Sequence, residues 1–337
     1  MLSLLGFSGG ILHILNHSLF KSLLFFSAGS VYQAAHTRNI ELLGGLMKQM
    51  PFTAMFFLAG SIAICGLPPF NGFVSEYLIY SGMFKSLPSS GLLFSIMLLL
   101  SITGLVLIGG LAVFCFTKAF GIVFLGQARS DKASAAVEVS RSMILPQVFT
   151  LALIMLIGLA PVLFVKPVFN IVSSSLMIKA DDFAVQFFPA NLVKISIASG
   201  IFVLVTVILL LWRSIHMKRV AVSTGPTWGC GYAAVSSKQQ YTATSYTYNY
   251  NHLASPVLRT RKYMEELGED ELFPRNRTFE SHSSDVFRKY LIDKPSESLS
   301  ALLKRLAVMQ TGEIRHYILY AFVFILLVTL LAYFKII

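Results

Sequence analysis

PFTAMFFLAGSIAICGLPPFNGFVSEYLIYSGMF, residues 51 to 84, is apolar enough to lie in a membrane and too long to cross it as one straight helix. At 1.5 Å per residue the stretch would make a rod of roughly 50 Å, against a hydrocarbon core of about 30 Å. In its middle stands Gly66-Leu67-Pro68-Pro69, followed by Asn71-Gly72. Proline lacks an amide donor and its ring clashes with the preceding turn. The stretch therefore predicts a broken helix over about 51–84, with Gly66, Pro68, Pro69 and Gly72 as its hinge. Unwound backbone at membrane depth survives only where it is buried in protein or lines a wet cavity, so a break beside an intramembrane acid, Glu76, reads as a site. The plainer reading is a short span followed by a surface helix, with Glu76 among lipid headgroups. Counting two spans there would flip the charge asymmetry of the loops, which argues against it.

The rest of the chain agrees with a membrane setting. Of 337 residues, 55% are hydrophobic and only 13% charged, with a mean hydropathy of +0.70. Soluble domains carry about 25% charge, so the missing charge marks long segments that never meet water. The expected fold class is all-α: a polytopic membrane protein with about six transmembrane helices, one of them broken. The other five are Leu4 to Val31, Leu92 to Leu125, Met143 to Val165, Leu192 to Trp212 and Tyr317 to Phe334. The first of these is too long for a signal segment and lacks a basic flank and a small-residue cleavage site, so it is read as a span.

The net charge of +11 is assigned to cytoplasmic loops rather than to nucleic-acid binding. The connections after the first, third and fifth spans carry Arg38 and Lys48, then Arg129, Lys132 and Arg141, then many cations between Arg213 and Arg315. The alternate side has Lys85, Lys166, Lys179, Lys194 and Lys335. Both termini are thus expected outside and the large loop in the cytoplasm, in a multi-pass protein of the cell's inner (plasma) membrane. The organisation expected is a membrane domain over 1–212, a cytoplasmic loop over 213–313 and a last transmembrane helix over 314–337. Arg213 to Phe273 shows no sustained helical period and reads as irregular. Ser283 to Leu291 and Ser296 to Met309 read as helices, the second with Leu299, Leu302, Leu303, Leu306 and Met309 on one face, an amphipathic helix at about 296–310. A sequon at Asn276-Arg277-Thr278 carries no meaning on a cytoplasmic loop. Cys65, Cys115 and Cys230 follow no ligand spacing. No metal, no iron-sulfur cluster, no nucleotide loop and no aligned nucleophile is indicated, so no cofactor and no intrinsic catalysis are expected.

The first span raises a sharper question. His13, His17 and Lys21 stand four residues apart in an otherwise apolar run. Residues at that spacing share a helix face, so the three form a ladder of about 12 Å. A charge near the bilayer centre costs about 2.5 to 3.5 kcal/mol on insertion scales, which calls for a function or a dedicated partner. Imidazole suits proton relay because one nitrogen can accept while the other donates. A buried lysine can be tuned to load and release a proton, and with Glu76 close by the pair would titrate as a unit. The competing reading has the histidines hydrogen-bonded to neighbouring helices and Lys21 paired permanently with Glu76 as a brace. Lys118 is open between proton transfer and snorkelling toward the cytoplasmic end of its helix.

His13 to Phe25, then Gly44-Gly45-Leu46, then Gly66-Leu67-Pro68-Pro69-Phe70-Asn71-Gly72-Phe73-Val74-Ser75-Glu76 resemble the antiporter-like proton-translocating subunits of respiratory complex I, Mrp antiporters and membrane-bound hydrogenases. Pro-Pro-Phe-Asn-Gly-Phe-Val-Ser-Glu, Phe-Thr-Lys-Ala-Phe-Gly and Thr227-Trp228-Gly229-Cys230-Gly231-Tyr232 look most like the hydrogenase-4 and formate hydrogenlyase branch of that family. The resemblance implies that His13, His17 and Lys21 belong to a central hydrophilic axis and that Glu76 is the titratable group of a broken helix. It implies that the helix near Ser296 to Met309 corresponds to all or part of a lateral brace, although Pro295 and the short length speak against a long rod. The likeness covers only about the C-terminal half of such a subunit. Another polypeptide would then supply the earlier half, or the chain is a fragment, or the half has a different role. The implied partners are other membrane-arm subunits, a peripheral redox module and the lipid bilayer. The function expected is proton translocation within a complex I-like, hydrogenase-linked oxidoreductase. A sodium/proton antiporter subunit of the Mrp kind, or a structural membrane subunit, are the alternatives.

Overall fold

The computed structural model describes residues 2–177, 182–221, 225, 236–237, 239–255, 260–264, 279–282, 284–307 and 310–335, with the side chains of 89, 182–189, 249, 281 and 306 excepted. The Thr227 to Tyr232 motif with Cys230, the sequon at 276–278, Lys179, Ser283 and Met309 lie outside the described residues. The chain divides into two compact units, Met1–Tyr246 and Thr247–Ile337.

The first unit is built around α1 (Leu2–Ala35), which ends where His36 turns into the left-handed region at φ 50°. A short α2 (Leu46–Gln49) leads into α3 (Pro51–Ile64). Proline at the first position suits α3, because that amide has no helical partner to lose. The next two amides, of Phe52 and Thr53, donate to the carboxylate of Glu138 from a distant loop, and the Thr53 hydroxyl does the same at 2.6 Å. Residues 65–70 interrupt the helix before α4 (Asn71–Ser86), so the expected break is present. α5 (Leu92–Phe124) is a long rod whose outer face exposes Leu92, Leu93, Leu100, Leu107 and Ile108.

A short α6 (Asp131–Ser134) precedes α7 (Arg141–Leu159), α8 (Val162–Ser175) and α9 (Asp182–Met217). The region expected as a single span, Met143 to Val165, is thus divided. Ala160-Pro161 closes α7 and opens α8, with Pro161 as the cap where its missing amide costs nothing. α9 likewise runs five residues past the expected end at Trp212. Two short helices, α10 (Ala243–Tyr246) and α11 (Tyr248–Leu253), follow.

α1 packs on α3, α4, α7 and α8. Small residues bring α1 and α4 close: a Cβ at Gly82 would stand 3.0 Å from that of Leu5, and one at Gly9 would press on Ile79. One apolar cluster joins Leu5, Leu12, Val74, Leu78, Val165 and Leu192. A second joins Phe20, Leu23, Phe56, Ala59, Ala63 and Ile154. A third, around Val31, Leu46, Met50, Val123 and Phe124, closes the loop end.

Among the described residues five helices are long and apolar enough to cross a membrane: α1, α5, α7, α9 from Ala190, and α13 (Ile314–Tyr333). The halves of the broken helix and α8 are shorter. The architecture is all-α and polytopic, as expected. In the second unit the stretch expected to be irregular, Arg213 to Phe273, contains β1 (Arg261–Met264), which pairs antiparallel with β2 (Phe279–His282) beyond it, Arg261 opposite His282. A π-helical stretch, Arg288–Asp293, runs directly into α12 (Lys294–Ala307). Pro295, expected to break this region, does not. It sits in the first turn of α12, just after the Lys294 amide has bonded back to Lys289, and the wider π turn leaves room where a proline amide is not needed.

Candidate functional site

Helical spacing alone places His13 and His17 side by side on α1, and their ring centroids are 6.2 Å apart. Phe20 lies edge-on to both, at 6.1 and 5.3 Å. His13 is half-buried, His17 is exposed, and the Lys21 ammonium stands 5.9 Å from the Phe25 ring. The two imidazoles therefore form a continuous pair, with Lys21 one turn further along the same face.

Only His13 reaches across to the broken helix, where its Nδ1 lies 3.0 Å from the Ser75 hydroxyl. Ser75 is also bonded by Asn16, whose amide nitrogen donates to Ser75 Oγ at 3.0 Å and to the Asn71 carbonyl at 2.8 Å. Asn71 returns a bond to Asn16 Oδ1 at 3.1 Å. Asn16, Asn71 and Ser75 are all fully buried. Polar groups without water must find one another, and these tie the start of α4 to the middle of α1. Reasoning from charge along the sequence passes over all three as site residues. Their spacing carries a signal nonetheless: Asn16 is three residues from His13, and Asn71 and Ser75 are four apart, so each pair shares a face. A second buried hub escapes the same reasoning. Ser27 donates to Gln147 Oε1 at 2.9 Å, and Gln147 Nε2 donates to Ser30 at 3.1 Å.

Three glycines allow the break to close. Gly66 has φ +65°, and a Cβ there would stand 2.7 Å from the Glu76 carboxyl carbon and 2.8 Å from its Oε1. The carboxylate thus folds back onto the hinge. A Cβ at Gly72 would strike the carbonyl oxygen of Ala63, and one at Gly158 of α7 would strike that of Pro69. Pro68 and Pro69, with Phe73 and with Ile195, Ala198, Ser199 and Phe202 of α9, line a cavity of about 260 Å³. Its wall is almost wholly apolar.

Lys21 and Glu76 form no ion pair among the described residues. Lys118 sits apart on α5, beside Thr117, which with Ser61, Cys65 and Leu67 lines a separate groove of about 200 Å³. The structure therefore sets His17 beside His13, joins His13 to α4 through Ser75, sets Glu76 on the hinge itself, and leaves Lys118 at another helix. Among the described residues no group of three His, Cys, Asp or Glu could hold a metal ion.

Residues 1–101, which contain the ladder and the break, match the family described as NADH:quinone oxidoreductase/Mrp antiporter, TM. Over 95% of its length the chain is 30% identical to hydrogenase-4 component B of Escherichia coli, covering 49% of that protein. Across 132 residues, 39% of the chain, it is 45% identical to formate hydrogenlyase subunit 3 of the same organism, covering 22% of it. A chain of the membrane-bound sulfane sulfur reductase, an archaeal respiratory membrane complex, superposes over 96% of this chain and 48% of that one, with a TM-score of 0.59 and 16% identity. That last likeness is one of fold. The chain spans about half the length of the curated relative it matches along nearly its whole length. The expected likeness to the hydrogenase-4 and formate hydrogenlyase branch holds, with the family match confined to residues 1–101.

Proposed function

We propose that this chain is a proton-translocating membrane-arm subunit, or half of one, in a complex I-like, hydrogenase-linked oxidoreductase complex. The observation that carries the reading is the half-buried contact between a protonatable ring and a broken helix: His13 on Ser75, with Glu76 folded onto Gly66. Protons pass along His17 and His13, with Lys21 and Glu76 loading and releasing them at either side of the hinge. Lys118, on its own helix, serves as a further transfer group. Because Lys21 and Glu76 are not in contact, each can change its proton occupancy without first breaking a bridge.

The family match over residues 1–101 supports a setting among other membrane subunits in the cell's inner membrane, and the loop charges favour both termini outside. A peripheral redox module supplies the driving reaction. Proton flux measured on the whole complex in sealed vesicles tests this. Lys21→Ala and Glu76→Gln are each expected to lower flux at least about a hundredfold, the lower end of what a positioned proton donor contributes, with assembly intact. Loss of assembly at unchanged specific flux would instead mean that the polar residues only brace the helices. Flux that follows sodium rather than protons would overturn the choice of ion.

A further inference from the structure

We infer that the Ser75 hydroxyl is a two-position switch, a positioning residue that reports where the His13 proton sits to the first turn of α4. This rests on the proton-transfer reading of His13. Ser75 Oγ has three neighbours, each at 3.0 Å: His13 Nδ1, the Asn16 amide nitrogen and the Gly72 carbonyl oxygen. A hydroxyl owns one hydrogen and two acceptor sites. The Asn16 amide is fixed in orientation, because its nitrogen also donates to the Asn71 carbonyl. It therefore always fills one acceptor site, and the remaining hydrogen and lone pair must be shared between His13 and Gly72.

Two arrangements follow. With a proton on His13 Nδ1, the ring donates to Ser75 and the serine donates to the Gly72 carbonyl, and every site on Oγ is used. With that nitrogen bare and the proton on Nε2, the serine must turn its hydrogen to Nδ1, and Gly72 loses its bond. No heavy atom need move more than a rotation of the O–H allows. Ser75 is fully buried, so water does not fill the vacated place. Gly72 belongs to the first turn of α4, and its carbonyl also receives the Glu76 amide in the helix ladder. The proton position on α1 is thereby written into the hydrogen bonding of the turn that carries the acid. That turn is not saturated: Asn71 Oδ1 is buried there without a partner among the described residues.

The test uses the assembled complex in lipid, labelled with ¹⁵N-histidine, and reads the two nitrogen signals of His13 together with proton flux. Ser75→Ala is expected to move the Nδ1 signal away from its hydrogen-bonded position and to lower flux severalfold, and Ser75→Thr, which keeps the hydroxyl, to restore both. Unaltered His13 signals in Ser75→Ala overturn the inference, as do altered signals with unaltered flux. If Ser75→Ala does not assemble, Ser75→Cys, of similar size and a weak donor, takes its place with the same readouts. Undiminished flux in His13→Ala would overturn the proton-transfer reading, while the nitrogen signals of Ser75→Ala still decide on their own whether serine follows the ring.

Discussion

Asn16 and Asn71 face each other with no access to water, and each donates a hydrogen bond to the other. Such a pair is hard to read from sequence because either asparagine alone looks like a minor polar residue in an apolar run. Gly66 is easier, since a glycine between an apolar helix and two prolines marks a turn, yet only the structure shows what its missing side chain makes room for. Gly66→Ala forces a side chain into the left-handed region, at about 1–2 kcal/mol, and drives a methyl group into the Glu76 carboxylate. The expected result is a lower thermal unfolding midpoint for the complex and a flux defect that resembles that of Glu76→Gln. The ladder residues are legible because charge in an apolar run is conspicuous. Ser75 and Asn16 are not, because hydroxyl and amide groups are common in such helices and their importance depends on which neighbour they meet.

Among the elements, α3 shows how far a helix can depend on a residue remote in sequence. Its first free amides have no side-chain cap of their own, and Glu138, over 80 residues away, accepts from Phe52 and Thr53 together. A carboxylate at a helix start also meets the positive end of the helix dipole. Glu138→Ala is expected to cost about 0.5–2 kcal/mol, seen as a lower unfolding midpoint, with flux per assembled complex retained. The break between α3 and α4 is legible because Gly-Leu-Pro-Pro admits few other conformations. The split between α7 and α8 is not: a lone Pro161 inside a continuously apolar stretch can end one helix or kink it, and composition does not choose. The continuity of the π stretch with α12 goes the other way, since a wider turn tolerates the proline that an ordinary turn would reject.

At the scale of the whole first unit, charge counting placed three connections on one side of the membrane, and the structure joins them directly. Arg129 donates to the carbonyls of Leu43, Ile122 and Tyr241, Ser130 donates to Leu42, and Thr244 donates to Glu41. Gln240 exchanges two hydrogen bonds with the backbone of Gln127. Burial pulls the Arg129 guanidinium below its ordinary value, and the Glu41 carboxylate pulls it part of the way back. Single cysteines at the exposed Lys48 and Lys132 should react with an impermeant thiol reagent from the same face of sealed vesicles, and one at Gly91 from the opposite face. Labelling of Lys48→Cys and Lys132→Cys from the cytoplasmic face is the expected outcome, and periplasmic labelling would invert the proposed orientation.

Cutting one helix in two has an electrical result that no side chain is needed to produce. Each half ends with aligned peptide dipoles worth about half an elementary charge, negative where α3 stops and positive where α4 starts. The contact of Gly72 with the Ala63 carbonyl sets these opposite poles against one another. While they touch, their fields largely cancel, and prising them apart would leave two bare poles facing oil. The gap is thereby held shut by its own polarity, and whatever enters it, a hydronium or a file of water, must replace that attraction with its own.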